Sequence, residues 1–241
     1  MPTMTLQADF GVALGQGRRS ANEPLLEVDE EAAAVKPAAD RLGDFWQDIL
    51  DGRAVFYCDG AGPRGRYVVC RVLESTRLGG ALSRLETAVL VRVLGGEQQK
   101  AIAVELGIAC STASKWYTQA WDKLALEQGP IPLPLVIAAQ SWAAGATPPV
   151  SARRATLFHE GNEFVVLTVP TPNLAGERLL TRAEREVAVA LIEGQSRGAI
   201  AVLRSTSQQT VACQLRGIFS KLDVRGRCAL IKHGLDAGWF R

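Results

Sequence analysis

Few side chains in this chain have the types and spacing that catalysis or metal binding would need. Its only histidines, His159 and His233, are candidate general bases, but one lies on a predicted strand and the other on the last predicted helix. Glu86 and Glu184 are candidate acid–base carboxylates, yet each also fits a helix-capping pattern. The sequence has no glycine-rich phosphate loop, no nucleophile elbow and no cluster of metal ligands. We therefore expect no enzymatic activity and no cofactor.

The cysteines do not suggest a bridged or metal-binding framework. They are odd in number, widely scattered and never arranged as C-x-x-C, which argues against both disulfides and a zinc site. We expect reduced thiols that are mostly buried. The five are Cys58, Cys70, Cys110, Cys213 and Cys228.

The polar side chains of this chain are better suited to hydrogen bonding with nucleobase edges than to catalysis or metal binding. Amide and hydroxyl groups can pair with base edges in the major groove of DNA. Such groups are concentrated in residues 111–119 and 207–214. Both segments need a helix to present them, and the rest of the sequence predicts which elements supply it.

Length and composition exclude several classes of protein. The chain has 241 residues, of which 47% are apolar and 22% charged, enough to bury one large core or two of ordinary size. No apolar run approaches the roughly 20 residues that cross a bilayer, and the N-terminus does not resemble a signal peptide. We expect a soluble, cytoplasmic protein.

The net charge of +2 is an average over unlike parts of the chain. Residues 1–50 carry 4 basic and 9 acidic side chains, while residues 151–241 carry 13 basic and 8 acidic ones. An acidic tail ahead of a basic body is common in proteins that meet nucleic acid, although solvated surface charge also produces such divisions.

The chain contains one unit twice. A shift of 98 residues superimposes 82–126 on 180–224 with 13 identities in 45 positions and no gap. Upstream, the apolar stretch Val55–Cys58, a glycine turn and Tyr67–Val69 resemble Thr156–His159, a glycine turn and Phe164–Val166. Both upstream stretches predict β-hairpins.

Each unit also predicts a helix-turn-helix. The capping boxes Ser83-x-x-Glu86 and Thr181-x-x-Glu184 open first helices that end at Gly96 and Gly194. A short second helix follows, with Ile102, Ala103 and Leu106, or Ile200, Ala201 and Leu203, facing inward. A longer third helix starts near Cys110 or Gln208 and ends near Leu124 or Leu222.

The remaining segments complete the predicted domain organisation. Residues 1–39 lack a sustained period and predict a largely disordered acidic tail. An amphipathic helix from Leu42 to Leu50 should pack on the first hairpin, and Leu133–Trp142 should form a fourth helix. The predicted parts are a first helix, hairpin and helix-turn-helix at 40–142, a linker at 143–153 and a second hairpin and helix-turn-helix at 154–241.

The motif residues of the second unit resemble the LuxR/NarL-type helix-turn-helix. They are Leu180-Thr181-x-x-Glu184-Arg185-Glu186-Val187, Gly194-x-Ser196-x-x-x-Ile200-Ala201, Ser207-x-x-Thr210-Val211 and Ile218-Phe219-x-Lys221-Leu222-x-Val224-x-x-Arg227. The first unit, with Lys100-x-Ile102-Ala103-x-Glu105-Leu106-Gly107, looks like a more diverged copy. Residues 40–235 are similar to LuxR-type regulators of myxobacterium-like genomes. The resemblance implies a mainly α fold with short β-hairpins, built as two tandem units related by a pseudo-two-fold axis, and it implies sequence-specific binding of double-stranded DNA in bacterial transcription control.

The predicted contacts to DNA are the polar and basic side chains on and around the two third helices. The alternative is that these side chains are only solvated surface groups. The predicted residues are Lys100, Ser111, Thr112, Ser114, Lys115 and Gln119 in the first unit, and Arg197, Ser207, Gln208, Gln209, Thr210, Gln214, Arg216, Lys221, Arg225 and Arg227 in the second.

The two units differ in ways that predict modest affinity for each alone. Ala109 stands where the second unit has its capping Ser207, a loss of about 1 kcal/mol. Ser205 stands where the first unit has Gly107 in the turn. Where the family usually carries Lys or Arg after its Thr-Val pair, this chain has Ser114 and Ala212.

The resemblance also implies an interface, because LuxR-type domains typically dimerise through their fourth helix. The two units could pair within one monomer as a pseudo-dimer, or the chain could form a homodimer, with RNA polymerase or another regulator as a further partner and no membrane. The alternative function is a degenerate helix-turn-helix that binds proteins, as an adaptor or anti-regulator, with little DNA binding. The predicted interface residues are Leu135, Val136, Ile137, Leu230, Ile231 and Leu235.

Overall fold

The computed structural model describes residues 34–36, 42–73, 80–126, 129–145 and 150–241. The predicted disordered tail at 1–39 lies outside these residues, except for 34–36, which form a strand. No helix in the described ranges is long and apolar enough to span a membrane. The same ranges hold no group of three or more side chains that could bind a metal ion.

Both predicted hairpins are present, and they join into one antiparallel sheet. The strands are β1 (Ala34–Lys36), β2 (Ala54–Gly62), β3 (Gly65–Val72), β4 (Arg153–His159) and β5 (Asn162–Val169). The order across the sheet is β1-β4-β5-β3-β2, so that β3 and β5, the second strands of the two hairpins, pair with each other.

The two central strands of the sheet, β3 and β5, bury apolar side chains on both faces. Successive side chains along a strand point to opposite faces, so alternate residues enter different clusters. Val68 and Leu167 face the helices and belong to the main core. Their neighbours Val69 and Val166 face the other way and belong to a smaller cluster with Phe164. Burial on both faces explains why β3 and β5 read as nearly continuous apolar runs.

Each hairpin is followed by four helices in the same order. The helices are α1 (Leu42–Leu50), α2 (Arg84–Leu94), α3 (Gln99–Glu105), α4 (Cys110–Lys123), α5 (Leu133–Ala144), α6 (Arg182–Ile192), α7 (Arg197–Leu203), α8 (Gln208–Lys221) and α9 (Arg227–Asp236). We call α2–α5 the N-terminal helix group and α6–α9 the C-terminal helix group.

Helix α5 lies at the centre of the molecule. It is buried from Leu133 to Ser141, as expected for a helix that is apolar on nearly every side. The amphipathic helix α1 packs mainly on α5 and only slightly on β2, whereas the sequence predicted packing on the hairpin. Its polar anchor is a hydrogen bond of 3.0 Å from Trp142 Nε1 to Gln47 Oε1. Because α5 is apolar on nearly every side, it can bury the apolar face of α1.

The two helix groups share one core and are joined by close backbone contacts. A Cβ atom added to Gly96, which follows α2, would lie 2.7 Å from the Cα of Ala229 in α9. The residue equivalent to Gly96, Gly194, follows α6 and meets Pro130, before α5, at 3.3 Å by the same measure. Each group therefore packs the end of its first helix against the start of the other group's fourth helix.

The cysteines are less buried than the sequence predicted. Of the five, one is buried, two are half-buried and two are exposed, so the prediction of mostly buried thiols was wrong. Cys70 is buried in the sheet, Cys58 and Cys228 are half-buried, and Cys110 and Cys213 lie exposed on α4 and α8. Burial raises the pKa of the Cys70 and Cys228 thiols.

Candidate nucleic-acid interface

Helix α8 is the best-formed candidate for a contact with nucleic acid. Its N-cap is Ser207, whose Oγ accepts a hydrogen bond of 3.0 Å from the backbone N–H of Thr210. Val211, Leu215 and Ile218 bury one side of the helix in the core. The opposite side is left to solvent, with its first-turn backbone N–H groups and positive dipole end directed outwards.

The exposed side of α8 carries polar groups in its first turn and a basic group beyond its middle. Gln208, Gln209 and Thr210 are exposed, as is Arg216, whose Nη2 lies 3.6 Å from Cys213 Sγ. Gln214 is half-buried, and its Oε1 is buried with no hydrogen-bond partner among the described residues. The first four groups can therefore reach a ligand, while Gln214 faces partly inward.

Helix α7 and its turn set the position of α8. Ser196 caps α7 by accepting a hydrogen bond of 3.1 Å from Ala199 N, and Ile200 and Ala201 are buried as predicted. The turn between α7 and α8 places Ser205 at a φ of +49°, and the equivalent Gly107 has a φ of +65°. A left-handed conformation at a serine costs roughly 1 kcal/mol, as the sequence comparison predicted.

The prediction that Leu203 faces inward was wrong. Its side chain is 69% exposed, and Val202 beside it is 81% exposed. Arg204 occupies the inward position that Leu106 has in the N-terminal group, and its guanidinium pairs with Glu186. Leu203 was predicted to face inward only because it is apolar. In the helical register that forms, the inward-facing position belongs to Arg204.

Lys221 at the end of α8 is bound to its own domain. Its Nζ donates to both carboxylate oxygens of Glu184, at 2.8 and 2.7 Å. Glu184 also completes the predicted capping box by accepting a hydrogen bond from the backbone N–H of Thr181. The hydrogen bonds from Lys221 and Thr181 hold the pKa of Glu184 below its usual range. The Lys221 ammonium is therefore already paired with a carboxylate of α6.

Arg227, another predicted phosphate contact, makes internal hydrogen bonds. Its guanidinium donates to the carbonyl oxygens of Leu191 and Ile192, at the end of α6, and of Ile131, before α5. It therefore completes the last turn of α6 and joins the two helix groups. Arg227 is thus half-buried and its guanidinium is engaged inside the protein.

Three of the predicted cations of this region remain available. Arg197, at the first position of α7, and Arg225, before α9, are exposed, and neither forms an ion pair with a described residue. Together with Arg216 they give the surface around α8 its positive charge.

Helix α4 occupies the equivalent place in the N-terminal group but starts without a side-chain cap. Its N-cap is Ala109, in the same extended conformation as Ser207. At its far end Lys123 Nζ donates to Glu86 at 2.8 Å, which parallels the Lys221–Glu184 contact. Of the predicted contact residues, Thr112 is half-buried, and those exposed are Lys100, Ser111, Ser114, Lys115 and Gln119.

The predicted interface residues all lie in the shared core. Leu135, Val136, Ile137, Leu230, Ile231 and Leu235 are buried, and α5 contacts α9 within the one molecule. Gln140 of α5 bridges the contact, because its Nε2 donates to Leu94 O at 2.6 Å and to Cys228 O at 2.9 Å.

Sequence reasoning missed Gln140 and the internal role of Arg227. Both side chains donate to carbonyl groups at the end of a first helix, Leu94 O for Gln140 and Ile192 O for Arg227. A polar residue inside the apolar α5 was the only sequence signal for Gln140. A basic residue near a helix terminus is compatible with either phosphate or carbonyl partners, so nothing local distinguished the two for Arg227.

Residues 178–233 match the model of the GerE family, described as bacterial regulatory proteins of the luxR family. The matched segment begins before α6 and ends within α9, so it contains the whole of α8 and its supporting helices. No curated protein and no solved structure shows significant similarity to the chain.

Proposed function

We propose that this protein is a sequence-specific DNA-binding transcription regulator that uses two unequal LuxR-type helix-turn-helix units on one chain. The observation that carries the proposal is α8, a capped helix inside the segment that matches the luxR family, with Gln209 exposed in its first turn and Arg216 exposed two turns further along. Glutamine and arginine are among the side chains best suited to read base edges.

The second unit supplies the stronger contact in this proposal. Gln208, Gln209 and Thr210 contact bases or phosphates at the first turn of α8, while Arg197 and Arg225 meet flanking phosphates. The first unit supplies the weaker contact through α4, with Lys100 and Lys115 as its cations and Ser111, Ser114 and Gln119 as its polar groups.

The reciprocal packing of the two helix groups supports a pseudo-dimer within one chain. The contacts Gly96–Ala229 and Gly194–Pro130 join equivalent ends of the two groups, and α5 packs on α9 as paired fourth helices would. A monomer would then place two recognition helices about one DNA turn, roughly 34 Å, apart on an asymmetric site. We propose the boundaries 40–142 and 154–241 for the two units, joined by 143–153.

A second candidate is a protein-interaction module with little DNA binding. The internal contacts of Lys221 and Arg227 favour it, because they leave fewer cations for phosphates than the sequence predicted. Either function fits a bacterial protein that acts beside the chromosome in the cytoplasm, with RNA polymerase or another regulator as a protein partner.

Salt dependence of duplex binding distinguishes these functions. Fluorescence anisotropy with random and genomic duplexes measures how the binding constant falls with salt. A plot of its logarithm against the logarithm of the salt concentration should have a slope of about −4, since four exposed cations remain for phosphates. They are Lys100, Lys115, Arg197 and Arg225. Replacing Gln209 or Arg216 with alanine should reduce the preference for the selected sequence. Absence of binding even at about 50 mM salt would overturn the proposal and favour the adaptor.

A further inference from the structure

The sheet buries a second apolar cluster on the face that points away from the helices. Its members are Tyr67, Val69, Leu157, Phe164 and Val166, and we call their surface the outer sheet face. The register places them in neighbouring rows across β3, β5 and β4. The five side chains are between 0% and 6% exposed. None of them takes part in the proposed DNA contacts.

Among the described residues, only strands contribute to the outer sheet face. Helix α5, which packs on β3 and β5, lies on the opposite face with Val68 and Leu167. The open face of an antiparallel sheet is in contact with water. Val69 and Val166 are nevertheless buried, and exclusion of water raises the pKa of Tyr67 to about 12. A further segment of the chain must therefore cover this face.

Residues 1–33 are long enough to supply this cover. The covering segment has to cross three strands that lie about 4.8 Å apart. The other stretches outside the described ranges, at 37–41, 74–79, 127–128 and 146–149, have only two to six residues. Each of them adjoins a helix that packs in the main core, on the other side of the sheet. Length and position therefore favour residues 1–33.

The point at which residues 1–33 join the described chain is at the edge of this face. Ala34 begins the edge strand β1, and it pairs with Thr156 of β4. Thr156 is followed by Leu157, a member of the outer sheet face. The segment therefore has to leave the sheet directly beside the buried cluster.

The composition of residues 1–33 complements the outer sheet face. Arg71 lies opposite Phe164, and Arg153 is in the same row across the strands as Tyr67. Both arginines are therefore on this side of the sheet, exposed at opposite ends of the face. The segment carries six acidic and two basic side chains, which favours its attraction to these cations. It also carries apolar side chains for the cluster, namely Leu6, Phe10, Val12, Leu14, Leu25, Leu26 and Val28.

We propose that residues 1–33 dock on the outer sheet face of the same chain as a second layer. Because β3 and β5 come from different hairpins, the docked segment contacts both units at once. Val69 and Val166, which are equivalent in the internal repeat, pair at the centre of the face, so a single segment laid across them makes the two units inequivalent. The segment also prevents this apolar face from pairing with a second copy of the chain.

Photocrosslinking of the full chain tests the proposal without DNA, so that the result does not depend on the proposed function. The photoreactive residue p-benzoylphenylalanine in place of Phe164 should crosslink within the monomer to a tryptic peptide from residues 1–33. The same residue in place of Phe56, which packs on the main core from β2, should give no crosslink to this segment. Digestion at Arg18 and Arg19 shows which part of the segment lies on the face.

Cysteine labelling at the adjacent Val68 and Val69 separates the two faces of the sheet. Both positions are fully buried. In the full chain, Val68→Cys and Val69→Cys should each react with N-ethylmaleimide at least about 100-fold more slowly than the exposed Cys110. Replacing every Leu, Val and Phe of residues 1–33 with serine, at full length, should remove the protection of Val69→Cys but not that of Val68→Cys.

Any of three results overturns the proposal. The first is a crosslink from position 164 to a second chain, or no crosslink to residues 1–33. The second is labelling of Val69→Cys in the otherwise unchanged chain as fast as that of Cys110. The third is full protection of Val69→Cys in the serine variant.

Discussion

Val69 of β3 lies directly opposite Val166 of β5 in the ladder that joins the two hairpins. These two valines are equivalent in the internal repeat, since Tyr67–Val69 aligns with Phe164–Val166. A residue that pairs with its own equivalent marks a local two-fold axis. The same relation holds on either side, where Tyr67 pairs with Thr168 and Phe164 pairs with Arg71. This symmetry at the centre of the sheet supports the proposed pseudo-dimer.

The difference in helix capping between α8 and α4 predicts opposite effects of two substitutions. Ser207→Ala should reduce the free energy of unfolding by about 1 kcal/mol, because it removes the acceptor for Thr210 N. Ala109→Ser should raise it by about 1 kcal/mol, since Ala109 already has cap geometry and Thr112 stands where Thr210 does. Urea denaturation measures both. Equal effects of the same sign would contradict this assignment of the caps.

The buried Glu86–Lys123 contact predicts a pH dependence of stability. Burial alone would raise the pKa of Glu86, but hydrogen bonds from Lys123 and Ser83 outweigh it and leave the pKa lowered. Such a carboxylate stabilises the fold above its unfolded-state pKa of about 4.3, and this contribution is lost as the pH falls through the lower folded-state value.

Glu86→Gln should therefore cost about 2 kcal/mol near neutral pH and flatten the loss of stability that sets in as the pH falls below about 5. Chemical denaturation across this range measures the effect. Glu160→Gln, which removes an exposed carboxylate, is the control and should preserve the wild-type pH profile. An unchanged profile in Glu86→Gln would show that this pair does not contribute.

Two neighbouring arginines should separate DNA contact from stability. Arg225→Ala should change stability by less than about 0.5 kcal/mol but reduce the magnitude of the salt slope of DNA binding by about 0.9. Arg227→Ala should leave that slope unchanged and cost about 2–3 kcal/mol, because three carbonyl groups lose a charged donor. Denaturation measures the stability of both variants, and salt-dependent anisotropy measures their salt slopes. A reduced slope for Arg227→Ala with unchanged stability would place Arg227 on the DNA surface.

The tight contact between the helix groups predicts unequal costs for two equivalent glycines. Gly194→Ala should cost about 1–2 kcal/mol, the penalty of a left-handed backbone at φ +91°. Gly96→Ala should cost at least about 1 kcal/mol more, because its Cβ would overlap the Ala229 backbone as well. Thermal or urea unfolding compares them. Equal costs would mean that the two groups are not packed as closely at Gly96 as described.

Local signals allowed prediction of the helices but not of how the halves join. Ser83, Thr181 and Ser207 cap helices as their spacing predicted. Such caps can be recognised in the sequence because each involves a backbone N–H three residues away. The pairing of β3 with β5 depends on contacts between residues about 100 positions apart, so no local pattern specifies it. Leu203 was misassigned because its apolar type was given more weight than the helical register. The carbonyl partners of Arg227 lie 35 and 96 positions away in the sequence, so no local pattern indicates them.

The most direct test of the two-unit proposal is a hydroxyl-radical footprint on a duplex selected from a random pool, with the stoichiometry measured on the same complex. The proposal predicts one chain per duplex and two unequal protected tracts centred about one helical turn apart. Two chains on identical palindromic half-sites, or no protection at low salt, would contradict it.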